Sequence, residues 1–164
     1  GHVECVRALL EKADVDRANK NKRTALMFAS EKGHVDCVIV LLVKADVDRV
    51  DKDGRTALMV ASMNGHDTCV RLLLEKADVD RADGDGWTAL MLASLNGHVE
   101  CVRALLDKAD VDRAAKDGFT ALVFASEEGN VDCVIALLDK ADVDRADKYL
   151  KTALMYASKF GNVM

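Results

Sequence analysis

Read for apolar and polar positions alone, the chain repeats itself every 32 residues. Residues 83–114, DGDGWTALMLASLNGHVECVRALLDKADVDRA, show one period. Leu90, Met91, Leu92 and Ala93 form a run too apolar for an isolated surface helix. Val99, Val102, Leu105 and Leu106 then recur at helical spacing, with Glu100, Arg103 and Asp107 outside the stripe and free to face water. The spacing predicts a first helix from Thr88 to Leu95 and a second from His98 to Asp107. Thr88 has the hydroxyl of an N-cap. Gly97 tolerates the left-handed backbone that ends many helices. An extended ADVDRA loop follows, and Asp85-Gly86 reads as a tight reversal.

Helices this short do not stand alone in water. Each unit must therefore bury its apolar face on the next. A fixed period of this size is the mark of a solenoid, and Gly1, Gly33, Gly65, Gly97, Gly129 and Gly161 keep step with it. The units fall at 19–50, 51–82, 83–114 and 115–146, with a second-helix half at 1–18 and a first-helix half at 147–164. Val3, Val6, Leu9 and Leu10 at one end, and Leu154, Met155 and Tyr156 at the other, lack a partner half-unit within the chain. The expectation is an excerpt of a longer array, or copies that associate end to end. Asn19-Lys20-Asn21-Lys22 and Lys148-Tyr149-Leu150 lack the Gly found at Gly54, Gly86 and Gly118, so the two outer reversals are expected to be less regular.

Residues 51–82, DKDGRTALMVASMNGHDTCVRLLLEKADVDRA, carry T-x-L, N-G-H, L-L-L and A-D-V in the order and spacing of an ankyrin repeat, and the resemblance extends over essentially the whole chain. It implies an all-α solenoid of helix-turn-helix units joined by hairpin loops. Four departures recur. Ala25, Ala57, Ala89, Ala121 and Ala153 stand where the family has Pro. Met, or Val123 once, replaces its His. Cys occupies a usual Val or Ile place. Lys12, Lys44, Lys76, Lys108 and Lys140 stand where Gly ends the second helix, and the period is 32 rather than about 33. A Lys in the left-handed region costs roughly 1 kcal/mol, so a tighter, 3₁₀-like last turn is expected instead.

The net charge of −5 argues against nucleic acid or an anionic membrane as partner. Five cysteines recur at one helical place per unit. Neighbouring helices lie about 8–10 Å apart, beyond the roughly 7 Å that a disulfide spans. Reduced, mostly buried thiols are expected, and with them a cytosolic or nuclear setting; the chain is placed in the cytoplasm.

Ser94, His98, Glu100 and Cys101 group acid, base and nucleophile types. The group recurs along the solenoid, which marks it as architecture rather than a catalytic centre. The resemblance implies that His34, His66 and His98 bond backbone between units, with Asn130 and Asn162 in their place later. His-x-x-Cys supplies two ligands per unit where zinc takes three or four. Neither metal nor cofactor is implied. Asp16-Arg17 and its repeats at 48–49, 80–81, 112–113 and 144–145 predict parallel acid and arginine ladders, each Asp pairing with an Arg of its own or the next unit.

Function is sought where the units differ. In the ankyrin fold partners dock on the concave face of hairpin tips and first helices. The candidate partner-binding residues there are Arg55, Met63, Asn64, Asp85, Trp87, Leu95, Asn96 and Phe119. Phe28, Phe124 and Tyr156 are assigned to the core. The expected function is non-catalytic protein recognition. The alternatives are a structural element stacking end to end and an engineered repeat scaffold.

Overall fold

The computed structural model describes residues 1–160; Asn162 lies outside them. Among the described residues ten helices succeed one another without a strand. The first helices are α2 (Ala25–Glu31), α4 (Ala57–Met63), α6 (Ala89–Leu95), α8 (Ala121–Glu127) and α10 (Ala153–Phe160). The second helices are α1 (Val3–Leu9), α3 (Val35–Leu41), α5 (Asp67–Leu73), α7 (Val99–Leu105) and α9 (Val131–Leu138). First helices pack on first helices of neighbouring units and second on second, so the molecule is two layers with one core between them. Leu58, Met59, Leu73, Leu90, Met91 and Leu105 are fully buried in that core. Each such side chain contributes about 1.5–3 kcal/mol on leaving water, and helices of the adjoining unit pack on those that carry it.

The local signals act as anticipated. The hydroxyls of Thr24, Thr56, Thr88 and Thr120 accept from the amides of Met27, Met59, Met91 and Val123 at 3.3–3.4 Å. The second helices are shorter than expected, ending at Leu105 rather than Asp107 in the third unit. None of the Lys residues in the Gly place is left-handed. The amides of Lys76 and Ala77 both turn back to the Leu73 carbonyl, at 3.0 and 2.9 Å, which is the tightened last turn.

The outer hairpins depart from expectation. The reversal at 19–23 has the same closing bonds as that at 51–55: Asn19 N to Arg23 O at 3.0 Å, against Asp51 N to Arg55 O at 3.0 Å. Lys22 at φ +57° and Leu150 at φ +62° adopt the left-handed conformation that Gly86 takes at +87°. The turn is imposed by the ladder of neighbouring hairpins. Lys52 N bonds Asn21 O and Lys116 N bonds Asp85 O, and that register outweighs a single unfavourable φ.

Three further ladders tie the units together. His66 and His98 donate from Nε2 to the carbonyls of Glu31 and Met63 at 2.9 and 3.1 Å, and Asn130 donates to those of Ser94 and Leu95 at 2.9 Å. Each caps the end of the preceding first helix. The His98 ring lies against Gly65, where a Cβ would come within 2.7 Å of Nδ1; only Gly, itself at φ +75°, fits there. Lys44, Lys76, Lys108 and Lys140 reach back through Nζ to the carbonyls of Leu10, Leu42, Leu74 and Leu106 at 2.7–3.0 Å. The Lys that replaces Gly thus places a cation on the C-terminus of the previous second helix.

The third ladder corrects the acid–arginine expectation. Asp16, Asp48, Asp80 and Asp112 accept from the backbone amides of Asp46, Asp78, Asp110 and Asp142 in the next unit, at 2.8–3.0 Å. The amide lies within direct reach of a short carboxylate side chain and needs no long side chain ordered to meet it. The arginines stay exposed, and Arg49 touches only the Asp16 carbonyl, at 3.4 Å.

Candidate functional site

The residues preceding the recurrent Thr and those ending the first helices line one edge of the first-helix layer. Trp87, Met63, Leu95 and Phe119 are half-buried there, and Asp85, Asn64 and Asn96 are exposed. Trp87 sits with its ring centroid 4.8 Å from that of Phe124, tilted by 59°. Phe119 lies 5.3 Å from Phe124 and 4.9 Å from Tyr156. The aromatic residues therefore form a continuous row across three units, held by edge and tilted contacts. Phe124 and Tyr156 are buried, as the core assignment required, at 4% and 5% exposure. Phe28 is not. It is 43% exposed and covered on one side by the Arg23 guanidinium, 4.5 Å above its ring.

Several of the candidates are engaged within the chain. Arg55 pairs with Asp51 at 3.2 Å and with Asp53. Asn64 and Asn96 donate from Nδ2 to the carbonyls of Val60 and Leu92 at 2.8 Å, each closing its own helix. Asp85, by contrast, presents its carboxylate beside Trp87, Lys116, Asp117 and Lys148, around a shallow cleft of about 280 Å³. Met63 and Leu95 stand one unit apart at the ends of α4 and α6.

Below this edge Asp147 and Tyr156 form a buried pair, the Tyr156 hydroxyl donating to Asp147 Oδ2 at 2.6 Å. Burial works against the Asp147 charge, but that bond and those from the amides of Lys151 and Tyr149 hold its carboxyl below the usual range. Burial first, and the bond to Asp147 second, push the Tyr156 phenol up. The pair fastens the last hairpin to α10.

The recurrent Ser-His-acid-Cys group has no catalytic disposition. Ser94 Oγ is buried without a hydrogen-bond partner. His98 Nε2 is spent on the Met63 carbonyl. Burial, with Asp67 next, pushes the Cys101 thiol up to about 12, where almost no thiolate forms at neutral pH. All five cysteines are free thiols; Cys5 is exposed and the other four are buried. No cluster of three or more His, Cys, Asp or Glu able to hold a metal occurs among the described residues. No helix among them is long and apolar enough to cross a membrane.

No curated protein matches the chain. A family model described as ankyrin repeats (3 copies) matches it in three overlapping segments, residues 1–51, 40–117 and 108–164. Those matches span the two-layer stack, its hairpins and its inter-unit ladders, and the chain belongs to the ankyrin repeat family, whose members are generally non-catalytic protein-interaction modules.

Proposed function

We propose that this chain is a non-catalytic recognition module that receives a protein partner along the hairpin tips and first-helix ends of units 51–82, 83–114 and 115–146. The observation that supports the reading is the half-exposed Trp87 beside the open carboxylate of Asp85, with Met63 and Leu95 on the adjoining helix ends. Aromatic and Met side chains are favoured at interface centres. Every other ladder in the molecule repeats from unit to unit, and this group does not. Arg55, Asn64, Asn96 and Phe119 belong to the same edge and complete its rim. The net charge of −5 favours a protein over a nucleic-acid partner, and the free thiols suit a scaffold working in the cytoplasm.

The test is a quantitative pull-down with the wild type, Trp87→Ala, and the pair Met63→Glu and Leu95→Glu. Trp87→Ala is expected to weaken the captured partner by about 2 kcal/mol or more, and the paired variant to remove the same partner. A partner set unchanged across all three chains overturns the reading. Because Trp87 packs on Phe124, melting of each variant is followed in parallel.

End-to-end stacking of copies is the second reading, and one observation favours it. Helices α1 and α7 share the seven residues VECVRAL, and in unit 83–114 that helix packs on α6. The corresponding face of α10 presents Leu154 beside an apolar groove of about 280 Å³ lined by Leu122, Val134, Leu138 and Val143. A sedimentation coefficient that does not rise with concentration eliminates this reading.

A further inference from the structure

The second-helix layer, opposite in role to the hairpin edge, exposes apolar side chains on α3 and α9, and α3 lies between α1 and α5. Along its solvent face α3 presents Val35, Ile39 and, in the turn that ends it, Val43. Ile39 is 46% exposed and Val43 74%. One period later the same places hold Asp67 and Arg71 on α5 and Glu75 just after it, and one period earlier Val3 and Arg7 on α1 and Glu11 just after it. Both neighbouring helices pack directly on α3. The apolar ridge is therefore bordered on each side by an arginine level with Ile39, and on each side by a glutamate one turn further along, level with Val43.

These border charges are only loosely compensated. Arg7 lies 3.6 Å from Glu4, and Arg71 lies 3.8 Å from Asp67 and 3.9 Å from Glu100, all on exposed side chains. Exposed pairs of this kind hold their partners weakly, so the arginines are free to turn to a better acceptor. A second copy does not fit. Its own apolar stripe, Val131 and Ile135 on α9, is bordered by Arg103 and Asp107 of α7. Opposing Ile135 to Ile39 sets Arg103 against Arg7 or Arg71 whichever way the helix runs.

We propose that α3 is a docking ridge for an amphipathic helix of another protein, one whose apolar stripe is flanked by carboxylates at the Ile39 level and by Lys or Arg one turn away at the Val43 level. Helix recognition of this kind reads anchors at spacings of three and four. Like charges placed opposite the border residues would reject other helices. A ridge one helix wide makes a small interface, in the transient class. The site does not depend on the hairpin edge, and a partner can occupy both.

The test uses the full chain and two synthetic helical peptides with the same Leu stripe. One has Glu and Lys flanks in the stated register; the other has Ser in their place. Backbone amide shifts in the chain are followed by NMR during titration. The charged peptide is expected to shift α1, α3 and α5 and to bind at least about fivefold tighter than the Ser peptide at low salt, the gap closing as salt rises. The variant Ile39→Arg with Val43→Glu, which installs the residues that unit 51–82 tolerates at those places, is expected to bind the charged peptide at least about tenfold more weakly with unchanged melting. Equal affinity for both peptides, shifts confined to the hairpin edge, or undiminished binding by the double variant overturns the proposal. So does self-association of the wild type that the double variant abolishes, since that assigns the ridge to a second copy.

Discussion

Phe28 and Phe124 occupy the same place in units three periods apart, on helices that read ALMFASE and ALVFASE. Their surroundings differ completely: Phe28 is 43% exposed and Phe124 4%. Phe124 is covered from the preceding unit by Trp87 and from its own hairpin by Phe119. Phe28 has the Arg23 guanidinium over one face and no aromatic contact among the described residues. The identity of a residue does not decide its burial in a stacked array; the adjoining unit does. Stability in such a molecule is a sum of unit terms and nearest-neighbour terms, and the two phenylalanines separate them.

The sharpest way to break that comparison is to truncate both. Phe124→Ala is expected to cost about 3–5 kcal/mol, as large-to-small changes in a closed core do. Phe28→Ala is expected to cost about 1–2 kcal/mol, because only a little over half of its surface is buried. Urea melts of the two variants at constant slope check this. Equal losses would show that the fold treats the units as one globule rather than as neighbours in a row.

Much of this molecule was legible in one dimension because its signals are local. The Thr caps, the Gly stops and the apolar stripes act within a few residues, and a 32-residue period exposes them five times over. The His and Asn bonds to the preceding helix followed from the family resemblance. What eluded the sequence depends on where one unit lies on the next. Lys76 is an awkward substitute for Gly until the Leu42 carbonyl is placed 2.7 Å from its Nζ. The Asp48 carboxylate reads as a partner for Arg because charge is visible in letters, whereas the Asp78 amide it accepts from is not. Of the candidate site, Trp87, Met63, Leu95 and Asp85 keep an open surface, while Arg55, Asn64 and Asn96 spend their donors within the chain. The α3 ridge has a readable signal, since Ile39 and Val43 stand where unit 51–82 carries Arg71 and Glu75 and unit 83–114 carries Arg103 and Asp107.

The hairpins extend the comparison to backbone. The reversals at 19–23 and 83–87 share one turn, with Lys22 at φ +57° in the first and Gly86 at φ +87° in the second. At Gly86 a Cβ would lie 3.1 Å from the Lys116 amide of the next hairpin, so crowding adds to the conformational cost. Gly86→Lys is expected to lose about 1–2 kcal/mol. Lys22→Gly is expected to gain no more than a few tenths of a kcal/mol, because the relief of the left-handed side chain is offset by the greater freedom of Gly in the unfolded chain. Thermal melts of the pair measure the asymmetry. A gain in the first hairpin equal to the loss in the third would mean that neighbouring hairpins do not set the turn.

The smallest effect concerns one side chain of the neighbour term. Lys108 donates to the Leu74 carbonyl at 2.9 Å and lies 3.7 Å from the exposed Glu75 carboxylate. Replacing it by Met keeps most of the stem and removes the cation. The bond is charge-assisted, but the Lys108 side chain is 48% exposed, so water screens it. Lys108→Met is expected to lose roughly 0.5–1 kcal/mol. Hydrogen exchange distinguishes the cause: if the Lys acts by capping the preceding helix, Lys108→Met quickens exchange of the last-turn amides of α5 more than those of α7. Faster exchange confined to α7 would show that the side chain stabilises its own turn, and that the ladder of lysines is a by-product of the repeat rather than part of what joins one unit to the next.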